Sequence, residues 1–335
     1  MIGRATGRPV SITGLGCYVP ERVLTNDDLA RVVDTSDEWI RARTGIRERR
    51  IAADAEATSD LALPAARSAL AQAGVAAADV DLIIVATITP DMQFPATAAL
   101  VADGLGSTAA AAYDLSAGCT GFMYAIAQGH AAVAAGLARR ALVIGGDVMT
   151  RILDWTDRST LVLFGDGAGA VVLEPVAEGG FLGFELGADG SGSPELNYPG
   201  SGSRLFGSDN GRYLRMNGRE VFKFATRVLV SSAQAVLAAC ELTVADVDVY
   251  VPHQANVRII DHAVKKLGMP KEKVVVNVDR FGNTSCGSIP LALDGAIASG
   301  LVRPGSLVLM TGMGAGLSWG SALLRWTDST IGAGR

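Results

Sequence analysis

An internal repeat is the sequence feature that most restricts the fold of this chain of 335 residues. The tripeptide Asp-Val-Asp at residues 79–81 precedes an apolar segment, and the same arrangement returns at residues 246–248. The sequence Gly-Leu-Ala-Arg at residues 136–139 is matched by Gly-Leu-Val-Arg at residues 300–303. Matches in the same order with similar offsets indicate duplicated structural units. We therefore predict two similar halves, each built from strands and helices and related by a pseudo-twofold axis.

The composition suits a compact α/β enzyme built from two such halves. The chain is 49% hydrophobic and 19% charged, and its 40 glycines supply tight turns. Short apolar segments in both halves predict buried strands, among them residues 81–87 and 274–278. The irregular segment 187–211 is rich in Gly and Ser, which is typical of a functional loop or a connection between domains. We place the two halves at residues 1–186 and 187–335.

Charge and cysteine usage exclude several classes of protein. The net charge of -5 favours no nucleic acid as a partner. The start of the chain lacks the apolar core of a secretory signal, and charged residues interrupt every long apolar run, so we expect a cytoplasmic protein without a membrane span. The four cysteines show no metal-binding spacing, so we expect reduced thiols and no metal.

Cys119 lies at the predicted start of a helix. The apolar segment 109–115 predicts a buried strand, a Ser-Ala-Gly turn follows, and an Ala-rich helix runs to about Gly136. Free N–H groups and the helix dipole at such a position lower the pKa of a thiol from about 8.5 to below neutral. A buried structural cysteine is the alternative, and this segment alone leaves both interpretations open.

The repeat places a histidine and an asparagine near Cys119. The offset that aligns residues 136–139 with 300–303 also aligns Cys119 with Asn283. His253 directly follows an apolar strand of the second half, whereas the remaining two histidines lie within predicted helices. Because such strand ends and helix starts gather at one edge of a sheet, we predict that Cys119, His253 and Asn283 converge on one point.

A Cys-His-Asn group supports two kinds of chemistry. In a cysteine hydrolase the histidine deprotonates the cysteine and the asparagine orients the histidine. In a condensing enzyme the cysteine carries an acyl group, while histidine and asparagine donate hydrogen bonds to an oxygen that becomes negatively charged. The hydrolase interpretation is weakened because Ala117 stands where a nucleophile elbow has glycine.

Five arginines lie between residues 41 and 50. A run of this kind is either a solvated surface or a binding site for phosphate or another anion. The residues alone do not decide between the two.

These motifs together resemble the β-ketoacyl-acyl-carrier-protein synthase III family, which are condensing enzymes of the thiolase fold. The resemblance covers essentially the whole chain, and the segments that carry it occur in the expected order. They are SDEWIRARTGIRERR (36–50), GCTGF (118–122), FGDGAGAVVLE (164–174), VFKFA (221–225), VPHQAN (251–256), FGNTS (281–285) and GMGAGLSWGSALL (312–324).

The resemblance implies an α/β fold, the thiolase-like αβαβα five-layer sandwich of two duplicated halves, acting as a homodimer. It also implies a reaction without a metal or redox cofactor. A short acyl-CoA, acetyl-CoA or another, acylates Cys119, and malonyl-acyl carrier protein then loses CO2 and attacks the thioester to give a 3-ketoacyl-acyl carrier protein. His253 and Asn283 would stabilise the enolate. The backbone N–H groups of Cys119 and Gly316 would form the oxyanion hole.

Further residues acquire roles through the resemblance alone. Trp39 and Arg158 would enclose the adenine of CoA, and Thr35 and Arg43 would contact its nucleotide end. Phe94 would lie at the end of the primer pocket and favour short acyl groups. The acidic acyl carrier protein would dock on four basic residues: Lys223, Arg258, Lys265 and Lys266.

Related condensing enzymes fit the residues less well. Asn283 replaces one of the two histidines of chain-elongating enzymes, and Met313 stands where thiolases have a second cysteine. A departure from the family pattern is Cys286, which replaces a commoner small residue. Three alternatives stay open: an enzyme of the same fold in secondary metabolism, a cysteine hydrolase, and a catalytically silent acyl-binding protein.

Overall fold

The computed structural model describes residues 1–205 and 211–327. Its strands are β1 (Ile2–Arg4), β2 (Val10–Tyr18), β3 (Val23–Thr25), β4 (Glu48–Arg50), β5 (Leu82–Ala86), β6 (Ala111–Leu115), β7 (Ala141–Asp147), β8 (Gly167–Pro175), β9 (Gly180–Ala188), β10 (Leu196–Asn197), β11 (Arg215–Met216), β12 (Val249–Pro252), β13 (Leu307–Gly314) and β14 (Ser318–Arg325). Its helices are α1 (Asn26–Ala30), α2 (Asp37–Thr44), α3 (Thr58–Ala73), α4 (Thr97–Leu105), α5 (Gly121–Ala134), α6 (Arg158–Leu161), α7 (Gly218–Ala239), α8 (Val257–Leu267), α9 (Val278–Phe281) and α10 (Ser288–Ala298).

Two five-stranded sheets form the framework. The first has the strand order β2-β8-β7-β5-β6, and the second has the order β1-β9-β14-β13-β12. In both sheets an antiparallel run of three strands is followed by a parallel neighbour: β2, β8, β7 and β5 correspond to β9, β14, β13 and β12. The two halves therefore share one topology, as the repeat predicts.

Alternating side chains bury both faces of each sheet and define five layers. In β5, Ile83 and Val85 pack with α3 and α4, whereas Leu82 and Ile84 face the central helices α5 and α10. In β13, one set of alternate residues faces the central helices α5 and α10, and the other set faces the outer helices α7 and α8. Each fully buried Ile, Leu or Val contributes about 1.5–3 kcal/mol. The result is the predicted αβαβα sandwich.

The predicted strand at residues 274–278 is wrong. Val274 forms only an isolated bridge with Tyr250, and the chain enters α9 at Val278. The reason is a buried side chain, because Gln254 bonds the carbonyl oxygen of Val275 at 3.0 Å and the N–H of Asn277 at 2.9 Å. Two backbone groups that would pair in a sheet are thereby occupied. The segment still lies beside β12, since the N–H of Val275 donates to the carbonyl oxygen of Tyr250 at 2.9 Å, but it does not form a strand.

The boundary predicted between residues 186 and 187 falls inside a strand. β9 belongs to the second sheet, so the chain passes from the first sheet to the second between Pro175 and Gly180. The first strand, β1, also joins the second sheet. Part of segment 187–211, residues 206–210, lies outside the described residues, as do residues 328–335 of the predicted second half.

Among the described residues, one helix is long and apolar enough to cross a membrane. This helix is α7, which has 22 residues. Half of its most apolar stretch is buried inside the fold. Its buried residues, including Phe224 and Leu229, pack in the protein core. A core helix of a globular protein passes the same test, so α7 is weak support for a membrane span.

Candidate active site

Cys119 lies in the tight connection between β6 and α5, two residues before the helix begins. The Gly-rich end of β13 packs directly against it. A Cβ atom at Gly314 would lie 2.6 Å from the backbone nitrogen of Cys119. Gly118 has a φ of +58°, and a Cβ there would lie 2.6 Å from the carbonyl oxygen of Ala315. Glycine is therefore required on both sides of this contact.

Cys119, His253 and Asn283 line one cavity of about 290 Å³. His253 follows β12, and its backbone N–H donates to the carbonyl oxygen of Thr311 at 2.8 Å. Asn283 lies between α9 and α10, and its backbone bonds to residues on both sides of Phe164. The three side chains are 6%, 1% and 6% exposed, so the cavity reaches nearly desolvated groups.

Neighbouring groups orient the two polar side chains. The N–H of Ser285 donates to Asn283 Oδ1 at 2.9 Å, which leaves the amide Nδ2 free to donate. His253 Nδ1 lies 2.5 Å from the hydroxyl oxygen of Ser288, which leaves Nε2 without a partner among the described residues. Burial lowers the pKa of His253 to about 4, so its ring is neutral at pH 7.

Burial opposes the stabilisation of a Cys119 thiolate that a helix start can provide. Burial raises the pKa of the Cys119 thiol to about 11, and the charge of Asp147 adds to the increase. The Ser285 hydroxyl and the backbone N–H groups of Cys119 and Ala315 act in the opposite direction. Desolvation of a thiolate outweighs the donors at the helix start. The resting form is therefore the thiol.

Asp147 and Cys286 were not predicted, yet they brace the turn around Cys119. Cys286 Sγ donates to the carbonyl oxygen of Gly118 at 3.2 Å, and its N–H donates to Asp147 Oδ2 at 3.0 Å. Asp147 Oδ1 accepts four further hydrogen bonds from residues 87–89. Asp147 ends the apolar strand β7, and this position at a strand end is the sequence signal that could have identified it.

A second cavity, of about 330 Å³, also reaches Cys119. Its lining includes Gly316 and three residues of the irregular segment: Leu196, Asn197 and Tyr198. Phe94 does not line this cavity in its own chain, because its side chain is 85% exposed. The resemblance placed Phe94 at the end of the primer pocket, and a single chain does not bring it there.

Two of the four predicted CoA residues line the first cavity, and Thr35 and Arg158 do not. Trp39 and Arg43 line it. The guanidinium carbons of Arg43 and Arg158 lie 4.6 and 4.9 Å from the centroid of the Trp39 ring. Arg158 also donates to the carbonyl oxygen of Asp34 at 2.6 Å. The hydroxyl of Thr35 is buried and has no hydrogen-bond partner among the residues that the structure describes.

The predicted docking residues are exposed on α7 and α8. Lys223 lies on α7 and pairs with Glu220 at 2.7 Å. The remaining three lie on α8: Arg258, Lys265 and Lys266. Both helices begin beside the first cavity, since Val221 and Ile259 line it. Within residues 1–205 and 211–327, no three His, Cys, Asp or Glu side chains gather closely enough to hold a metal ion.

A duplicated αβαβα sandwich in which a cysteine, a neutral histidine and an asparagine line one cavity is typical of a condensing enzyme of the thiolase fold. Comparisons with known proteins narrow the class. Residues 113–190 match the family model of 3-oxoacyl-[acyl-carrier-protein (ACP)] synthase III, and residues 237–326 match the model of its C-terminal part. The chain belongs to the 3-oxoacyl-[acyl-carrier-protein] synthase III family and is an acyltransferase of the condensing type.

Individual relatives agree over the full length. The β-ketoacyl-[acyl-carrier-protein] synthase III of Symbiobacterium thermophilum is 58% identical, over 95% of this chain and 98% of that protein. The crystal structure of 3-oxoacyl-[acyl-carrier-protein] synthase III from Aquifex aeolicus is 46% identical, with a TM-score of 0.90, and covers 95% of this chain and 100% of its own. The priming β-ketosynthase of the R1128 polyketide pathway is 40% identical, with a TM-score of 0.91, and covers 96% and 98%.

Proposed function

We propose that this enzyme starts fatty-acid synthesis by condensing an acyl-CoA with malonyl-acyl carrier protein. Cys119 Sγ attacks the thioester carbonyl of acyl-CoA, the carbon–sulfur bond to CoA breaks, and the thiol proton of Cys119 ends on the released CoA. Malonyl-acyl carrier protein then loses CO2, and the electrons of the broken bond form an enolate. The enolate carbon attacks the acyl group on Cys119, which releases a 3-ketoacyl-acyl carrier protein and expels Cys119 as the thiolate. The thiolate then takes up one proton from solvent to return to the thiol.

The observation that carries this proposal is the pair of polar groups beside Cys119. Decarboxylation places negative charge on the malonyl thioester oxygen, and His253 Nε2 and Asn283 Nδ2 are the ring and amide nitrogens left free to donate to it. Fixed donors in a desolvated cavity stabilise such charge strongly, and removal of one typically costs about 10²–10³ in rate. In the acylation step, the N–H groups of Cys119 and Gly316 would serve the same purpose.

CoA would enter through the first cavity, with its nucleotide end at Thr35, Trp39, Arg43 and Arg158. Because both guanidinium groups already lie over Trp39, adenine would have to displace one of them to stack on the ring. Arginines so placed also suit the phosphates of CoA. The acyl group on Cys119 would then occupy the second cavity.

The acidic carrier protein would dock on the exposed basic residues of α7 and α8. Lys223 and Arg258 lie near the starts of helices that border the first cavity, and Lys265 and Lys266 lie in the last turn of α8. Such a basic surface favours local electrostatic attraction although the net charge of the whole chain is -5. Phosphopantetheine-linked malonate would then follow the same channel that CoA has left. No metal or redox cofactor takes part in these steps, and acyl-CoA and carrier-protein substrates place the enzyme in the cytoplasm.

A homodimer would complete the site. Within residues 1–205 and 211–327, β6 is the outer strand of the first sheet, and its one neighbour is β5. Exposed apolar side chains lie on or near it, including Phe94 and Tyr113. Such an edge is suited to pairing with the same edge of a second copy. The role of Phe94 in the primer pocket would then require that Phe94 of a second copy reaches the cavity beside Cys119.

A second candidate is a priming condensation in secondary metabolism. The 40% identity to a priming β-ketosynthase of a polyketide pathway favours it, and the chemistry at Cys119 would be the same. The two candidates differ in the acyl group and in the carrier protein. Purified carrier proteins and an acyl-CoA panel therefore separate them.

Intact-protein mass spectrometry tests the proposed reaction. We expect a stable acyl adduct after mixing with acyl-CoA, no adduct in Cys119→Ala, and release of CO2 when malonyl-acyl carrier protein is added. Asn283→Ala should retain acylation but lose about 10²–10³ in the rate of decarboxylation. Rapid turnover of acyl-CoA to free acid would instead indicate a hydrolase. Equal loss of both steps in Asn283→Ala would contradict the role assigned to this amide.

A further inference from the structure

The buried hydroxyl of Ser288 contacts the ring of His253. Ser288 is the first residue of α10, and its Oγ lies 2.5 Å from His253 Nδ1. Each residue is 1% exposed, so water does not compete for this contact. In a neutral imidazole only one nitrogen carries a proton, and the partner of one nitrogen decides which it is. The direction of this single hydrogen bond therefore sets what His253 presents to the cavity.

The surroundings of the Ser288 hydroxyl indicate its direction. The backbone N–H of Gln254 donates to Ser288 Oγ at 3.3 Å, so the oxygen already accepts one hydrogen. The hydroxyl hydrogen needs an acceptor, and His253 Nδ1 is the one that the described residues place within reach. Buried hydroxyl groups are normally satisfied in this way. The arrangement that satisfies all three groups has Ser288 donating to Nδ1 and the ring proton on Nε2.

Gln254 is held in place by its own side chain, so the donor to Ser288 is fixed. Its Nε2 donates to the carbonyl oxygens of Pro252 and Val275, at 2.8 and 3.0 Å. Its Oε1 accepts from the N–H of Asn277 at 2.9 Å. Gln254 is 1% exposed. The same side chain that prevents a strand at residues 274–278 thus anchors the polar contact behind His253.

We propose that Ser288 is a positioning residue that holds His253 with its proton on Nε2, ready to donate to the malonyl thioester oxygen. This inference rests on the proposed function. Without the hydroxyl, the ring would also adopt the tautomer with its proton on Nδ1. That tautomer turns a lone pair toward the cavity, and a lone pair opposes negative charge on the enolate oxygen instead of stabilising it.

Ser288→Ala tests the proposal through the separate half-reactions. We expect acylation of Cys119 to stay within twofold of the wild type, because the acyl oxyanion is held by backbone N–H groups. Decarboxylation of malonyl-acyl carrier protein should fall about 10- to 100-fold, since loss of tautomer control weakens one of its two donors. Ser288→Thr keeps the hydroxyl and should restore most of the rate.

Ser299→Ala is the matched control. It removes a hydroxyl of the same size just after the other end of α10, where Ser299 Oγ donates to the carbonyl oxygen of Ala296 at 3.1 Å. We expect both half-reactions to be unchanged in this variant. A similar loss in Ser299→Ala and Ser288→Ala would show that the effect comes from the helix and not from the contact with His253.

Nitrogen-15 NMR of labelled histidine gives a readout that a merely structural role would not change. The chain has three histidines, so His253→Ala assigns the signal of interest. The wild type should show the Nε2–H tautomer at pH 7, and Ser288→Ala should show a mixture or the Nδ1–H form. A wild-type ring protonated at Nδ1 overturns the proposal, and this measurement does not depend on whether Ser288→Ala folds.

The outcomes for the two proposals differ. If the wild type fails to decarboxylate malonyl-acyl carrier protein, the proposed function fails whatever the tautomer of His253. If the wild type decarboxylates and Ser288→Ala does so at the same rate, the proposed function stands and the positioning role of Ser288 fails.

Discussion

The environment of Cys119 determines when its proton must move, because the thiolate is the form that attacks a thioester and the proton must leave Cys119 as CoA is displaced. Burial raises its pKa to about 11, and His253 is neutral beside it. With its proton on Nε2, as proposed above, His253 has no lone pair on that nitrogen to receive the thiol proton. A cysteine hydrolase requires such a lone pair directed at the thiol. Transfer of the acyl group to Cys119 needs no net uptake or release of a proton, because the proton ends on CoA.

His130 carries a pH dependence of stability that is independent of the active site. It is 5% exposed on α5, with its ring centroid 5.1 Å from that of Phe184, and burial lowers its pKa to about 4. Since the pKa is lower in the folded chain than in the unfolded one, the stabilising contribution is present above about pH 6.5 and is lost as the pH falls toward 4.

Denaturant unfolding of His130→Leu tests this dependence. Between pH 7 and pH 5 the wild type should lose about 2 kcal/mol more unfolding free energy than the variant, because only the wild type must bind a proton at this buried ring on unfolding. The comparison uses the change with pH, so the packing effect of the substitution cancels. Equal pH dependence of both proteins would contradict the assigned pKa.

At the level of elements, two tight connections meet at the nucleophile. The turn before α5 and the Gly-rich end of β13 approach so closely that Gly118 and Gly314 leave no room for a side chain. These contacts join the first half of the chain to the second. Cys119 and Gly316, whose N–H groups form the proposed oxyanion hole, both line the second cavity.

Gly118→Ala should destabilise the protein and reduce acylation of Cys119. The added Cβ would lie 2.6 Å from the carbonyl oxygen of Ala315, in a residue whose φ is already +58°. Gly74→Ala is the control, because its φ is +65° but nothing lies within 4 Å of its Cβ. Thermal or denaturant unfolding should show Gly118→Ala about 1–3 kcal/mol less stable than Gly74→Ala. Similar stability would contradict the close contact.

At the level of the whole molecule, the proposed homodimer depends on pairing through the edge strand β6. Tyr113 is the middle residue of β6 and is 39% exposed. If two copies pair antiparallel through this edge, the two Tyr113 side chains lie near the twofold axis.

Tyr113→Asp should therefore convert a dimer to a monomer, since it places two like charges close together at the interface. Light scattering during gel filtration measures the mass directly. Leu137→Asp is the control, because Leu137 is 86% exposed but lies in the connection between α5 and β7. A wild type that is monomeric, or a Tyr113→Asp variant that stays dimeric, would contradict pairing through β6.

Local patterns in the sequence predicted the duplicated architecture well because periodicity reports burial. The continuous apolar segment of β5 and the matching segments of the two halves follow from which side chains must avoid water. The strand predicted at residues 274–278 is wrong because a contact from outside the segment determines its structure. Its apolar pattern is real, but the distant side chain of Gln254 occupies its backbone groups, and no local pattern contains that contact.

The sequence by itself determined the two α/β halves, the family, and the meeting of Cys119, His253 and Asn283, because repeats and strand ends follow from the order of residues along the chain. Only the tertiary structure decided how these groups are tuned. The raised pKa of Cys119, the hydroxyl of Ser288 behind His253, and the exposure of Phe94 depend on burial and on contacts between segments far apart in the chain. Desolvation and hydrogen-bond geometry are properties of packed neighbours, which the sequence does not place.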